Sequence, residues 1–122
     1  MMEEKEMLRI WRTLGDAFNA GDLDVWASHL DDSFTGMASD TFMGSPAEFM
    51  AAARNGRAHG WTGQHMVSVS ARDNLLTAHY VNEFADGTKT CGAGVALFND
   101  AGRIVAIRAL NSSGATPMSP ST

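Results

Sequence analysis

The chain has 122 residues, enough for one domain and short for two. Hydrophobic residues make up 44% of it, so a substantial core is expected, and a formal charge of −5 argues against a broad nucleic-acid or anionic-membrane surface. Cys91 is the only cysteine, which excludes an intrachain disulfide and a cysteine-based zinc cluster; no apolar run is long enough to span a bilayer, and the opening MMEEKEM lacks the apolar core of a secretion signal, so a cytoplasmic location is expected.

In chain order, Met7, Ile10, Trp11, Leu14 and Phe18 recur at three- and four-residue steps and predict an amphipathic helix, with Glu3, Glu4 and Glu6 at its positive end. Gly21 is placed to end it in a left-handed cap, and Asp22 to cap a second helix with Leu23, Trp26 and Leu30 on its inner side. A short extended piece, Phe34 to Met37, leads to a loop through Asp40 and Gly44. Ser45-Pro46-Ala47-Glu48 then carries the signals of a third helix start: a capping serine, a proline at the first helical position, and a glutamate able to reach back. Gly56 and Gly60 are expected to break that helix.

From Gln64 the hydrophobic period changes to two. Met66, Val67 and Val69 predict a strand turned by Asp73-Asn74. Leu75 to Ala85 and Thr88 to Phe98 predict two more, joined by a two-residue Asp86-Gly87 hairpin turn. Asn99-Asp100-Ala101-Gly102 turns into a fourth strand, Arg103 to Leu110. The proline-punctuated end, residues 114–122, reads as a disordered tail after a domain of residues 1–113. The expected fold is α+β: three N-terminal helices packed on a curved sheet, antiparallel because the connections are too short for crossovers. Apolar residues on both strand faces predict a homodimer through the outer sheet face, with Cys91 on that side.

Phe18-Asn19-Ala20-Gly21-Asp22-Leu23 followed by Leu30-Asp31-Asp32, the helix entry at Gly44-Ser45-Pro46-Ala47-Glu48, and the hairpin Phe98-Asn99-Asp100-Ala101-Gly102-Arg103-Ile104-Val105 together resemble nuclear transport factor 2-like proteins of the SnoaL-like and ketosteroid isomerase-like branch. The resemblance covers the chain up to Ser113. It implies a cystatin-like cone with a deep pocket, frequent dimerisation, and functions that range from isomerases, cyclases, dehydratases and epoxide hydrolases to non-catalytic binding modules. The isomerase set, a tyrosine, an aspartate base and a protonated aspartate, falls by this resemblance on Leu14, Met37 and Gly94. None of these can abstract a proton or donate a side-chain hydrogen bond, so that mechanism is not expected. The arginine between two aspartates of the epoxide hydrolases finds no inward aspartate on the strands either.

A two-residue turn at Asp86-Gly87 sets Gly94 opposite His79. The resemblance points the Gly94 position into the pocket, so His79 is expected to face inward as the deepest ionisable group, as a general base or acid. Thr77, Val81, Glu83, Thr90 and Gly92 share its parity, and Ile107, Ala109 and Asn111 are expected to face inward from the last strand. Asp40 is a partner for His79 or a turn residue, Glu83 a rim residue, and Asn111 a donor to a ligand carbonyl. Leu14, Phe18, Met37, Trp61, Gly94 and Ile107 complete the expected lining, with Trp61 either a lid in a glycine-rich loop or plain packing. His59 and His65 lack metal-ligand spacing and a third ligand, so no metal and no cofactor is expected. Two readings stay open: a cofactor-independent acid–base enzyme of isomerase, cyclase or lyase type acting on a small apolar carbonyl compound, and a non-catalytic module that binds an apolar ligand or dimerises.

Overall fold

The computed structural model describes residues 1–112; the expected tail of residues 114–122 lies outside them. Helix α1 (Glu4–Ala20) buries the periodic residues Met7, Ile10, Trp11, Leu14 and Phe18. It stops at Gly21, whose φ of 83° lets its N–H bond Phe18 O while the Asp22 N–H bonds Ala17 O. Helix α2 (Asp24–Ser28) is a single turn without a side-chain cap. Leu30, expected on that helix, instead opens strand β1 (Leu30–Ala38), which turns at Ser39-Asp40 into β2 (Thr41–Met43).

Helix α3 (Pro46–Ala58) starts as its sequence requires. Ser45 Oγ accepts from the Glu48 N–H at 3.2 Å, and Glu48 Oε2 reaches back to the Gly44 N–H at 2.7 Å. Gly56 does not break the helix; it is buried inside it. Strands β3 (Trp61–Arg72), β4 (Leu75–Phe84), β5 (Lys89–Phe98) and β6 (Ile104–Asn111) follow.

The six strands form one curved, unclosed sheet in the order β2-β1-β6-β5-β4-β3. The expectation of an all-antiparallel sheet needs correction, because β1 pairs with β6 in parallel. That pair is available because α3 and four further strands lie between them in the chain, which is ample length for a crossover. The helices are likewise not a block ahead of the strands, since the β1–β2 hairpin separates α2 from α3. Register shifts at Leu30/Thr35, Trp61/Gly63, Met66/Ser68 and Leu97/Phe98 bend the strands around the helices.

The β4–β5 turn also differs from expectation. Phe84 N–H bonds Thr88 O at 3.0 Å, Gly87 N–H bonds Phe84 O, and Asp86 Oδ1 takes the Thr88 N–H. The loop is therefore the three residues Ala85-Asp86-Gly87, with Gly87 at φ 87°. By contrast Asp73 and Asn74, at φ 54° and 64°, make a true two-residue turn.

Two glycines have no atom near a prospective Cβ, Gly15 within α1 and Gly87 in the hairpin loop. Packing therefore drops out, and alanine is judged by backbone alone. Gly15→Ala should stabilise by about 0.5–1 kcal/mol, and Gly87→Ala should destabilise by about 1–2 kcal/mol because of its left-handed φ. Urea unfolding midpoints moving in opposite directions is the expected result.

Candidate functional site

The helices meet the sheet through large side chains, whereas the sheet meets them largely through small ones. Trp11, Phe18, Trp26, Phe49, Met50 and Trp61 approach from one side, and Ala78, Gly94, Ala96 and Ala109 face them. The mismatch leaves a cavity of about 70 Å³. Aromatic contacts fix its helical wall: Phe18 lies 4.3 Å from Trp61, and Trp26 sits 6.1 Å from Phe49, between ring centroids. All three tryptophans of the chain border the cavity. Among the described residues its lining holds no carboxylate, imidazole, ammonium, guanidinium or thiol; its polar side chains are the indoles, Gln64 and Tyr80.

Asn82 organises the polar edge of this space. It is fully buried and makes four hydrogen bonds. The Trp61 indole can only donate, so Asn82 Oδ1 must face it, at 3.2 Å, and Oδ1 also accepts from Gln64 Nε2 at 3.1 Å. Asn82 Nδ2 then donates to Thr90 Oγ1 at 3.3 Å and to Asn111 Oδ1 at 3.1 Å. The amide thereby uses its whole hydrogen-bonding capacity, which is the condition for burying it. Trp26 Nε1 is also satisfied, by Leu14 O at 2.8 Å. Trp11 Nε1 is the one enclosed side-chain polar atom without a partner among the described residues.

Tyr80 stands two residues before Asn82 on the same inner face of β4. It is 6% exposed, borders the cavity, and its hydroxyl makes no hydrogen bond among the described residues. Burial pushes its phenol up to about 12. Its ring lies over Gly92, where a Cβ would collide with ring atoms Cε1 and Cζ. Gly92 is therefore the vacancy that admits the ring.

The expected site residues divide between places. Phe18, Met37, Trp61, Gly94 and Ile107 all border the cavity. Leu14 is fully buried in the core but does not line it. Trp61 is neither in a loop nor a lid; it opens β3, packed on Phe18 and held by Asn82. Asn111 stands behind the cavity with its oxygen committed to Asn82.

His79 is the main correction. It pairs with Ala93, not Gly94, and is exposed on the outer sheet face. The three-residue loop shifts the register by one, and one step turns every side chain of a strand to the other face. Thr77, Val81 and Glu83 share its parity and likewise face away from the cavity, whereas Thr90 and Gly92 face inward with Asn82 and Tyr80. Glu83 pairs with His65 at 2.8 Å instead. Asp40 is exposed in the β1–β2 turn and makes no contact with His79. Tyr80 and Asn82 went unnoticed because the two-residue turn put them outside. The signal that would have found them is the third loop residue: a glycine in the left-handed region after Ala85-Asp86 suits a three-residue hairpin as well as a two-residue one.

No protein-family model and no curated protein matches this sequence. Solved structures do match its fold. An NTF2-like protein of unknown function from Burkholderia xenovorans aligns with a TM-score of 0.76 at 17% identity, over 91% of this chain and 86% of that one. An LEH-like epoxide hydrolase of M. tuberculosis gives 0.75 at 15% identity, over 91% and 86%. A putative SnoaL-like polyketide cyclase from Jannaschia sp. gives 0.73 at 15% identity, over 89% and 87%. The chain thus has the nuclear transport factor 2-like fold, in the form shared with SnoaL-like proteins. At these identities the likeness concerns fold alone.

Tyr80 is the only tyrosine of the chain, so tyrosinate absorbance reads it directly. Its raised folded pKa means that the unfolded chain loses the phenolic proton first. Stability is then full below pH 10.0 and falls as the pH climbs toward 12. The expected titration midpoint is near 12 in the folded protein and near 10.0 in urea. A folded midpoint at the unfolded value would show a solvated ring.

Proposed function

We propose that this chain binds a small apolar molecule in the cavity and acts as a binding module rather than as an acid–base enzyme. The observation that carries this is the lining itself, aromatic and aliphatic with Tyr80 as its one ionisable side chain. Proton transfer near neutral pH needs a group that titrates there, and a phenol held up to about 12 does not. An engineered cavity of about 150 Å³ takes up benzene. A space of about 70 Å³ accepts only a compact molecule unless Met37 or Met50 swings aside, which unbranched thioether chains do readily. This favours small ligands over steroid-sized ones.

The test exploits the three tryptophans, whose fluorescence should change on titration with compact cyclic hydrocarbons and ketones. Ala96 is fully buried against the cavity, and Ala96→Leu would fill it. Loss of the fluorescence response is expected, with stability altered by no more than about 1–3 kcal/mol. Unchanged binding in this variant would overturn the reading.

We also propose a homodimer through the outer sheet face. Leu75, Val95, Leu97 and Leu110 are 40%, 36%, 41% and 71% exposed there, beside exposed Ala93 and Cys91. Leu75 stands opposite Leu97 and Ala93 opposite Leu110 on adjacent strands, with Thr77, His79 and Arg108 interspersed on the same face. The wall behind it is thin: Met37, Ala78, Gly94, Val95 and Ala109 border both the cavity and the depression outside. A second copy on this face would cover that wall. Light scattering at micromolar concentration should report twice the chain mass, and Leu97→Lys should give a folded monomer. A monomeric parent protein would refute the dimer.

A further inference from the structure

We propose that Tyr80 is the hydrogen-bond donor that sets the ligand's chemistry, and that the ligand is a compact, otherwise apolar molecule carrying a carbonyl oxygen. This rests on the cavity being the ligand site, and it adds what the apolar lining alone leaves open.

The other polar side chains at this end of the cavity are committed. The Trp61 indole and the Gln64 amide both donate to Asn82, the Trp26 indole donates to Leu14 O, and Asn111 Oδ1 accepts from Asn82. The Tyr80 hydroxyl has no such partner among the described residues. It is not sealed off either, because among the described residues Trp11 Nε1 is the one unpartnered side-chain atom that is fully enclosed. The hydroxyl is thus reachable from outside its own ring's packing, on a residue that borders the cavity. Leaving a buried donor unmade is unfavourable, so a guest that accepts from it gains more than one that only fills volume.

The phenol is held protonated, hence it presents a hydrogen. Its oxygen lone pair is drawn into the ring, which makes it a better donor than acceptor. A carbonyl takes that hydrogen and asks for none in return, and the other unpartnered donor on the lining, Trp11 Nε1, is fully enclosed. Ligand carboxylates fit poorly, since the lining offers no cation to balance them. The ring's position depends on Gly92, so the donor is placed by an absence of side chain as much as by Tyr80 itself.

The test compares cyclobutanone with methylenecyclobutane, which replaces the carbonyl oxygen by a methylene of similar shape. Tryptophan fluorescence gives both affinities. Tyr80→Phe should weaken cyclobutanone about five- to tenfold and leave methylenecyclobutane within about twofold. It should fold as well as the parent, because the hydroxyl has no partner to lose. The carbonyl stretch of bound cyclobutanone should lie lower in the parent protein than in the variant, a signature that packing changes alone do not produce. Equal losses for both ligands, or an unshifted stretch, would overturn the donor assignment while leaving the cavity reading intact. If neither ligand binds the parent protein, both fall together.

Discussion

The backbone bond from Phe84 N–H to Thr88 O closes the β4–β5 loop, and the faces of both strands follow from it. With Gly87 in the left-handed region, three residues are left in the loop and Glu83 stands opposite Lys89. Leu76, Ala78, Tyr80 and Asn82 then point at the helices, with Thr90, Gly92, Gly94, Ala96 and Phe98 beside them. Shortening the loop by one residue would carry His79 inward and expel Asn82. Such a slip would bury a titratable ring without a partner and strand the Trp61 indole, so the side chains support the register that the loop sets.

The inner face that results holds a contrast between two polar residues one pleat apart. Asn82 is satisfied four times over and ties β3, β5 and β6 together at the level of Trp61. A saturated amide of this kind rigidifies its surroundings but offers nothing to a guest. Tyr80 is in the opposite state: buried but for 6% of its surface, without a side-chain hydrogen bond among the described residues, and seated over a glycine. The first residue holds the wall in place and the second faces the space the wall encloses. The space persists because the sheet supplies methyl groups or hydrogens where the helices supply rings, and close packing would need larger residues at Ala78, Gly94, Ala96 or Ala109.

The end of α1 and the start of α3 were legible in the sequence because they depend on local chemistry, whereas Asp22 does not cap α2 and Gly56 lies inside α3. Ser45, Pro46 and Glu48 act as their types predict, and Gly21 ends α1 as expected. Strands β3 to β6 were legible for the same reason, from their period of two, whereas β2 lies in what reads as a loop and β1 is longer than the extended piece from Phe34 to Met37. What local chemistry does not contain is the relation between strands. Pairing of β1 with β6 joins residues more than seventy positions apart, such as Thr35 with Ala106, and no local signal announces it. Register is more delicate still, since Asp86-Gly87 is compatible with two loop lengths and only the longer one places Asn82 among its partners. The cavity residues read from resemblance, Met37 and Gly94, depend on position in the fold and do border the cavity. The residue read from register, His79, does not.

The same distinction limits what the fold relatives say about chemistry. A shared cone constrains where side chains can converge, and each relative fills those positions with its own residues. Here the positions that the isomerase resemblance marks carry leucine, methionine and glycine. The described lining carries neutral hydrogen-bonding groups, the indoles, Gln64 and Tyr80, and no carboxylate or imidazole. Binding asks for a dry space, aromatic walls held at fixed angles, and one donor to orient the guest. The proposed binding reading draws on those features, and the placement of Tyr80 among them follows from Gly87 through the register of β4 and β5.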